Sequence, residues 1–229
     1  MDRLDVYVIG AGGIGRHLLP PLAQELNNVY PGSILTIFDG KRFTERNGPR
    51  QGGEVGTYKA QWYENEIIRK DYRDLIAIAE NVNIGPDNVD KIPEGSVTFL
   101  CVDNPYARNL VANHASCLQD ATVISAGNKI TSCTIQQHVR KGGVDITIPI
   151  NTILNPEIRE AVMPPPERLG CDEEPPDTQL LAVNMLAAAL ALNTFRTLPG
   201  VEASTWDIMY VETDPFSLRT KSRKGFEGV

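Results

Sequence analysis

Two stretches of the chain carry groups whose types and spacing could do chemistry. The first is "GAGGIG", Gly10 to Gly15, and the second is "RNGPRQGGEVGTYK", which ends at Lys59. Gly10, Gly12 and Gly15 fit G-x-G-x-x-G, a turn tight enough for backbone N–H groups to approach a phosphate at the positive end of a helix. The same spacing also suits a strand-to-helix turn with no ligand. Asp39 closes the next apolar run, where an acid can bond ribose hydroxyls and where an ordinary turn aspartate also fits. Neither feature separates NAD from ATP. Asn47, Arg50, Gln51 and Lys59 do more, because they are polar and cationic beyond what a dinucleotide site needs. Unless they are plain solvated charges, a guanidinium fork and an ammonium beside phosphates would stabilise negative charge gathering at phosphorus. Asp103, in "CVDNPYAR", ends another apolar run. A carboxylate there can hold the Mg2+ of a nucleoside triphosphate, or it can cap the helix that begins near Pro105.

These side chains need a scaffold, and the hydrophobic pattern predicts one. "DVYVIG", "SILTIFD", "DLIAIAENV", "SVTFLCVDN" and "ATVISAG" read as strands, with helices at "HLLPPLAQEL", Lys59 to Lys70 and "PYARNLVANHASCLQD". Pro20 and Pro21 predict a kink or a restart in the first helix. Strands alternating with helices imply a mostly parallel, Rossmann-like, doubly wound sheet covered on both faces. Beyond Gly127 the pattern changes. "TSCTIQQHV" and "GVDITIPI" read as strands paired around "RKGG", an antiparallel extension, followed by a long proline-rich acidic loop from Asn155 to Asp177. Thr178 to Leu198 reads as a helix with a core stripe of Leu180, Leu181, Val183, Leu186, Leu190 and Phe195. Two short strands in "STWDIMYVETDPFSLRT" and a loose tail close the chain. We read one α/β domain over 1–229, with 1–127 as nucleotide-binding core and 128–229 as extension, loop and helix.

Composition narrows the partners. With 22 Lys and Arg against 29 Asp and Glu, the net charge of -7 gives no electrostatic reason to expect nucleic acid or anionic lipid. The cysteines Cys101, Cys117, Cys133 and Cys171 form no C-x-x-C pair, which argues against a zinc site or a disulfide framework and suits a reducing, cytoplasmic compartment. No apolar run is long enough to read as a signal peptide or a membrane span.

Taken together, the motifs resemble the ThiF, MoeB and HesA family of adenylating enzymes, relatives of ubiquitin-activating enzymes. The likeness lies mainly in the first 140 or so residues. The family's G-x-G-G-x-G matches Gly10, Gly12, Gly13 and Gly15, and its ribose acid matches Asp39. Its N-x-x-R-Q matches Asn47, Arg50 and Gln51; its V-G-x-x-K matches Val55, Gly56 and Lys59; its D-N-x-x-x-R matches Asp103, Asn104 and Arg108. The resemblance implies ATP and Mg2+ as cofactors. It implies adenylation of the C-terminal carboxylate of a small ubiquitin-like or sulfur-carrier protein, with pyrophosphate as the leaving product. Arg50 and Lys59 would offset the repulsion between two anions, Asp103 would hold the metal, and Asn47 and Gln51 would orient the nucleotide. A homodimer is implied as well.

The chain departs from the family in lacking the paired C-x-x-C motifs of its structural zinc, so no zinc is expected. An arginine preceding the first strand, which members supply to a partner's nucleotide, is not matched by Arg3. Cys171 is the cysteine on a predicted loop, where an acyl group could pass to a thiol or where it is incidental; Cys101 and Cys133 read as core. His17, His114 and His138 match no motif. Two other functions remain: a catalytically silent nucleotide- or partner-binding module, and an NAD-dependent oxidoreductase, which would leave Arg50, Gln51 and Lys59 without a role.

Overall fold

A computed structural model describes residues 2–45, 47, 52–70, 72–152, 155–163, 181–198 and 206–221. The first β-branched and aromatic run forms β1 (Asp5–Ile9), and the chain then turns into α1 (Gly15–Val29). There follow β2 (Ser33–Phe38), α2 (Lys59–Arg69), β3 (Leu75–Glu80), β4 (Val97–Leu100), α3 (Pro105–Cys117) and β5 (Ala121–Asn128). The extension comprises β6 (Ser132–Lys141), β7 (Val144–Asp145), α4 (Pro156–Arg159), α5 (Leu181–Thr197), β8 (Ile208–Thr213) and β9 (Phe216–Lys221).

One sheet runs in the order β3-β2-β1-β4-β5-β6-β8-β9, with β7 on β6. Its first five strands are parallel and its remaining pairings antiparallel, as the sequence predicts. Strand direction changes at β5 because "GNKITSC" turns straight back on itself, with Asn128 opposite Cys133. The order reverses between β1 and β4. In open α/β sheets that switch point opens a crevice at the carboxyl ends of the strands.

Alternate residues along the central strands face opposite layers. Val8, Leu35, Ile37 and Phe99 pack with α1, α2 and α5 on one face, whereas Ile9, Phe38 and Leu100 pack with α3 and α4 on the other. The second face is not fully covered. Ile76 and Ile78 of the edge strand β3 are exposed there.

Four expectations change. The first helix does not restart, since α1 carries Pro20 and Pro21 within one assigned helix. Leu18, Leu19, Leu22, Ala23 and Leu26 are fully buried along it, and that packing outweighs two missing donors. The proline-rich segment contains the one-turn helix α4, begun by Pro156 in its first turn. On α5 Val183 and Phe195 are buried as expected, but Asn184, Ala187, Ala188, Ala191 and Thr194 complete the buried stripe, Leu181 is exposed, and Leu180 lies outside the described residues. Small alanines let this helix come close to α1, β5 and β6, a demand that hydrophobicity alone does not reveal. The paired run "GVDITIPI" contributes only Val144 and Asp145 as strand. No helix among the described residues is long and apolar enough to cross a membrane.

Candidate nucleotide site

The glycine turn lies between β1 and α1 at the switch point. Gly10 has φ +96° and its N–H donates to the Phe38 carbonyl at 2.8 Å, which closes the turn onto β2. A side chain on Gly15 would collide with the Gly10 carbonyl oxygen, at 2.0 Å from an added Cβ, so glycine is what lets helix and strand meet here. Around Gly12 a Cβ would find nothing within 4 Å. Ile14 stands at the N-cap of α1 and offers no side-chain cap, while the Arg16 and His17 N–H groups donate to the Gly12 and Ile14 carbonyls, each at 3.0 Å.

Asp39 is 7% exposed at the end of β2. Its Oδ2 accepts from the Ala11 N–H at 2.8 Å and its Oδ1 from the Lys41 N–H at 2.8 Å. A carboxylate has about four lone-pair positions, so Asp39 can both hold the glycine turn and still accept hydroxyl donors. The backbone then links onward, for the Lys59 N–H donates to the Lys41 carbonyl at 3.0 Å. Arg42 fastens the same return, with its guanidinium 3.7 Å from the Tyr58 ring centroid and its Nη1 donating to the Gly56 carbonyl at 2.6 Å. One run of hydrogen bonds therefore joins the turn, Asp39 and the first residue of α2. Lys59 itself is 5% exposed, with Nζ 5.8 Å from the Phe43 ring centroid. Lysines are seldom so buried, which sets Lys59 apart from an ordinary surface charge.

Beyond β4 the chain passes beneath the same turn. A Cβ on Gly10 would stand 2.9 Å from both the Cys101 carbonyl oxygen and Val102 Cγ1. Asp103 follows, exposed. The capping position of α3 belongs to Asn104, whose Oδ1 accepts from the Tyr106 N–H at 2.9 Å. Asp103 is thus not the cap. Arg108 donates from Nε to the Val102 carbonyl at 3.1 Å and from Nη2 to the Ala126 carbonyl at 2.7 Å, and also pairs with Ser125. It ties the ends of β4 and β5 together. Burial holds the Arg108 guanidinium below its usual value, opposed by Cys101, Asp103 and Glu157.

Asn47 accepts from the Thr44 N–H at 2.9 Å within its own turn. Arg50, Gln51 and Cys171 lie outside the described residues. Among those that are described, the structure joins the glycine turn, Asp39 and the backbone of Lys59 through shared hydrogen bonds, and brings Cys101 and Val102, which precede Asp103, against Gly10. No three His, Cys, Asp or Glu side chains group as a metal centre among the described residues. A Mg2+ ion on Asp103 would then take its other ligands from phosphate and water, as Mg2+ commonly does.

Several groups at this edge escape sequence reasoning. Tyr63, one turn after Lys59 on α2, is 4% exposed. Burial raises its phenol well above the usual range, with Arg16 opposing and Asp39 reinforcing, so it remains a neutral hydroxyl beside the acid. The spacing from Lys59 to Tyr63 was its only signal in the sequence. Among the described residues, buried side-chain atoms of Asn81, Asn128 and Asn184 lack a hydrogen-bond partner. Asn81 follows β3, Asn128 ends β5 and Asn184 abuts Gly13, so all three lie at the carboxyl edge of the sheet. A cavity of about 240 Å³ between α1 and α2, lined in part by Arg16 and Tyr63, adjoins the same region.

Among the described residues the thiols are poorly placed for acyl transfer. Burial pushes Cys101 up to about 12 and Cys133 up to about 11. Cys117 is exposed but ends α3, roughly 18 Å along the helix axis from its start.

No protein-family model and no curated protein matches the chain. Solved structures match in fold. Escherichia coli MccB with ATP is 20% identical, with a TM-score of 0.70 over 96% of this chain and 63% of that one. The microcin C7 biosynthetic enzyme MccB in complex with N-formylated MccA is 20% identical, with a TM-score of 0.67 over 96% and 64%. PaaA is 14% identical, with a TM-score of 0.67 over 96% and 64%. The chain thus has the fold of these proteins, in line with its ThiF-like motifs, and spans a little under two thirds of their length.

Proposed function

We propose that the chain is an ATP-dependent adenylyltransferase that activates a C-terminal carboxylate on a small protein or peptide, of the ubiquitin-like or sulfur-carrier kind. The observation that carries this reading is the hydrogen-bonded run from the glycine turn through Asp39 to the backbone of Lys59, on which the turn would serve as anion cradle, Asp39 as ribose acceptor and Lys59 as cation. Further support comes from a fold shared with MccB, crystallised with ATP and with AMPCPP and MccA together.

In the proposed step a carboxylate oxygen of the partner attacks the α-phosphorus of ATP. The bond to the bridging oxygen of the β-phosphate breaks, its electron pair leaves with pyrophosphate, and an acyl-adenylate remains. Two anions have to meet. Lys59 and Arg50 offset their repulsion and the charge that builds on the phosphoryl oxygens. Asp39 fixes the ribose, while Asn47 and Gln51 orient the nucleotide. Asp103 would hold Mg2+, which supplies further charge neutralisation when bound. Asn104 caps α3 and Arg108 clamps β4 to β5, which steadies the strand end that carries Asp103. A homodimer belongs to the same reading, and sedimentation of the purified chain decides it.

The test is ATP–pyrophosphate exchange. Labelled pyrophosphate should enter ATP when the cognate carboxylate partner is added, and Lys59→Ala and Asp103→Ala should each lower the rate at least ~100-fold, in the range of lost charge-stabilising groups. ATP binding without exchange favours the silent-module alternative. Hydride transfer to a nicotinamide would restore the third.

A further inference from the structure

The C-terminal helix α5 reaches the glycine turn through one residue. Asn184 is 8% exposed, and its Oδ1 has no hydrogen-bond partner. It interrupts the apolar part of a buried face that runs through Val183, Ala187, Ala188 and Ala191. A buried polar atom left unpaired in a native fold is uncommon and calls for a reason. Its position supplies one. A Cβ built on Gly13 would stand 2.9 Å from Asn184 Oδ1, 3.1 Å from Nδ2 and 3.2 Å from Cγ. Unlike Gly10, Gly13 is not among the glycines with positive φ. Backbone conformation therefore does not demand glycine there; room for the Asn184 carboxamide does.

We propose that Asn184 is a positioning residue for the bound nucleotide, setting the glycine turn at Gly13 and gaining the partner its carboxamide lacks when the turn is filled. This rests on the nucleotide-binding reading above. The carboxamide suits the task, because its oxygen and nitrogen lie almost equally near Gly13. A half-turn of the amide exchanges acceptor for donor with little movement, so it can meet a ribose hydroxyl, a phosphate oxygen or a water carried with either. An apolar side chain of the same size would pack equally well and leave nothing unpaired in the unliganded protein. Asparagine at this place thus exchanges stability of the empty fold for order in the occupied one.

The experiment is titration of the full chain with ATP by calorimetry, with thermal unfolding of each variant in the absence of nucleotide. Asn184→Leu should unfold at or above the wild-type temperature yet bind ATP at least ten-fold more weakly, a split that a purely structural role would not produce. Gly13→Ala should weaken binding in the wild-type background and cost under two-fold in Asn184→Ala, where the added methyl has room. If Asn184→Leu fails to fold, Asn184→Ala and this double-mutant cycle carry the test. Wild-type affinity in the Asn184 variants, or a Gly13→Ala cost equal in both backgrounds, overturns the inference. Failure of the unchanged chain to bind ATP overturns the nucleotide reading itself and this proposal with it. Inorganic tripolyphosphate, titrated in parallel, tells phosphate from ribose: loss of its binding in Asn184→Leu assigns the contact to phosphate, and retention alongside weakened ATP assigns it to ribose.

Discussion

Gly10 and Gly12 stand in one turn and answer to different demands. Gly10 is held at φ +96°, and an added methyl would press on the Cys101 carbonyl and on Val102. Gly12 lacks both constraints, since its Cβ would enter open space. Gly10→Ala should therefore cost at least ~1–2 kcal/mol in urea unfolding, from left-handed strain before any clash is counted. Gly12→Ala should stay within ~0.5 kcal/mol of wild type while weakening ATP binding, because on the proposed reading its methyl would enter the space the nucleotide takes. Equal stability losses would mean that the turn serves only the fold. At this scale the sequence was informative wherever one residue type has one physical use. The glycines and Asp39 were readable because tight turns and strand ends limit what can stand there. Tyr63 and Asn184 were not, because their value comes from elements folded against the turn from elsewhere in the chain. Asn184 belongs to a helix more than 160 residues downstream of Gly13, and in the sequence it is merely a polar interruption in an apolar helix.

Elements show the same division. Parallel strands announce themselves as short β-branched runs, and β1 to β5 lie where those runs predict. Helix α5 was legible as a helix and Val183 and Phe195 of its predicted stripe are buried, but the rest of the buried face was not legible, since period and hydrophobicity favour leucines whereas close approach to β5 and β6 favours Ala187 and Ala191. Likewise α1 keeps two prolines because burial of its leucines is worth more than the lost backbone bonds. The hairpin of β6 and β7 carries a pairing that sequence left unassigned. His138, fully buried, sits with Nε2 2.9 Å from Asp145 Oδ1, which also accepts from Arg140 Nη1 at 2.8 Å. Burial holds His138 below its ordinary value, opposed by Asp145. Burial alone would raise Asp145, but its bonds to His138 and Arg140 prevail and lower it. Both folded values lie below their unfolded ones, so in each case the unfolded chain takes up protons first as pH falls. Stability should be complete above the unfolded histidine value of about 6.5, decline as pH drops below it, and decline again through the carboxylate range. Thermal unfolding from pH 8 to pH 4 should show this fall. Asp145→Asn should flatten the carboxylate part, and an unchanged profile would remove the pair from the account.

The whole molecule places its chemistry at one boundary: the carboxyl edge of a parallel half-sheet, reached by α5 after the antiparallel half has turned the chain back. On the proposed reading, that architecture makes nucleotide binding a property of the entire fold. The turn, Asp39, Lys59 and Asn184 come from β1, β2, α2 and α5, so a ligand that bridges them should resist global unfolding. At a concentration 100 times its dissociation constant, ATP should add ~2.7 kcal/mol, which for a chain of this size raises the unfolding temperature by roughly 5–11 °C. Lys59→Ala should lose most of that shift, and NAD should give little of it, because a dinucleotide carries no terminal phosphate for the buried ammonium and Arg50 to engage. The comparison is decisive in sign. A larger shift with NAD than with ATP would return the glycine turn to the oxidoreductase reading, whereas a shift with ATP that survives Lys59→Ala would leave nucleotide binding intact and take the buried cation out of it.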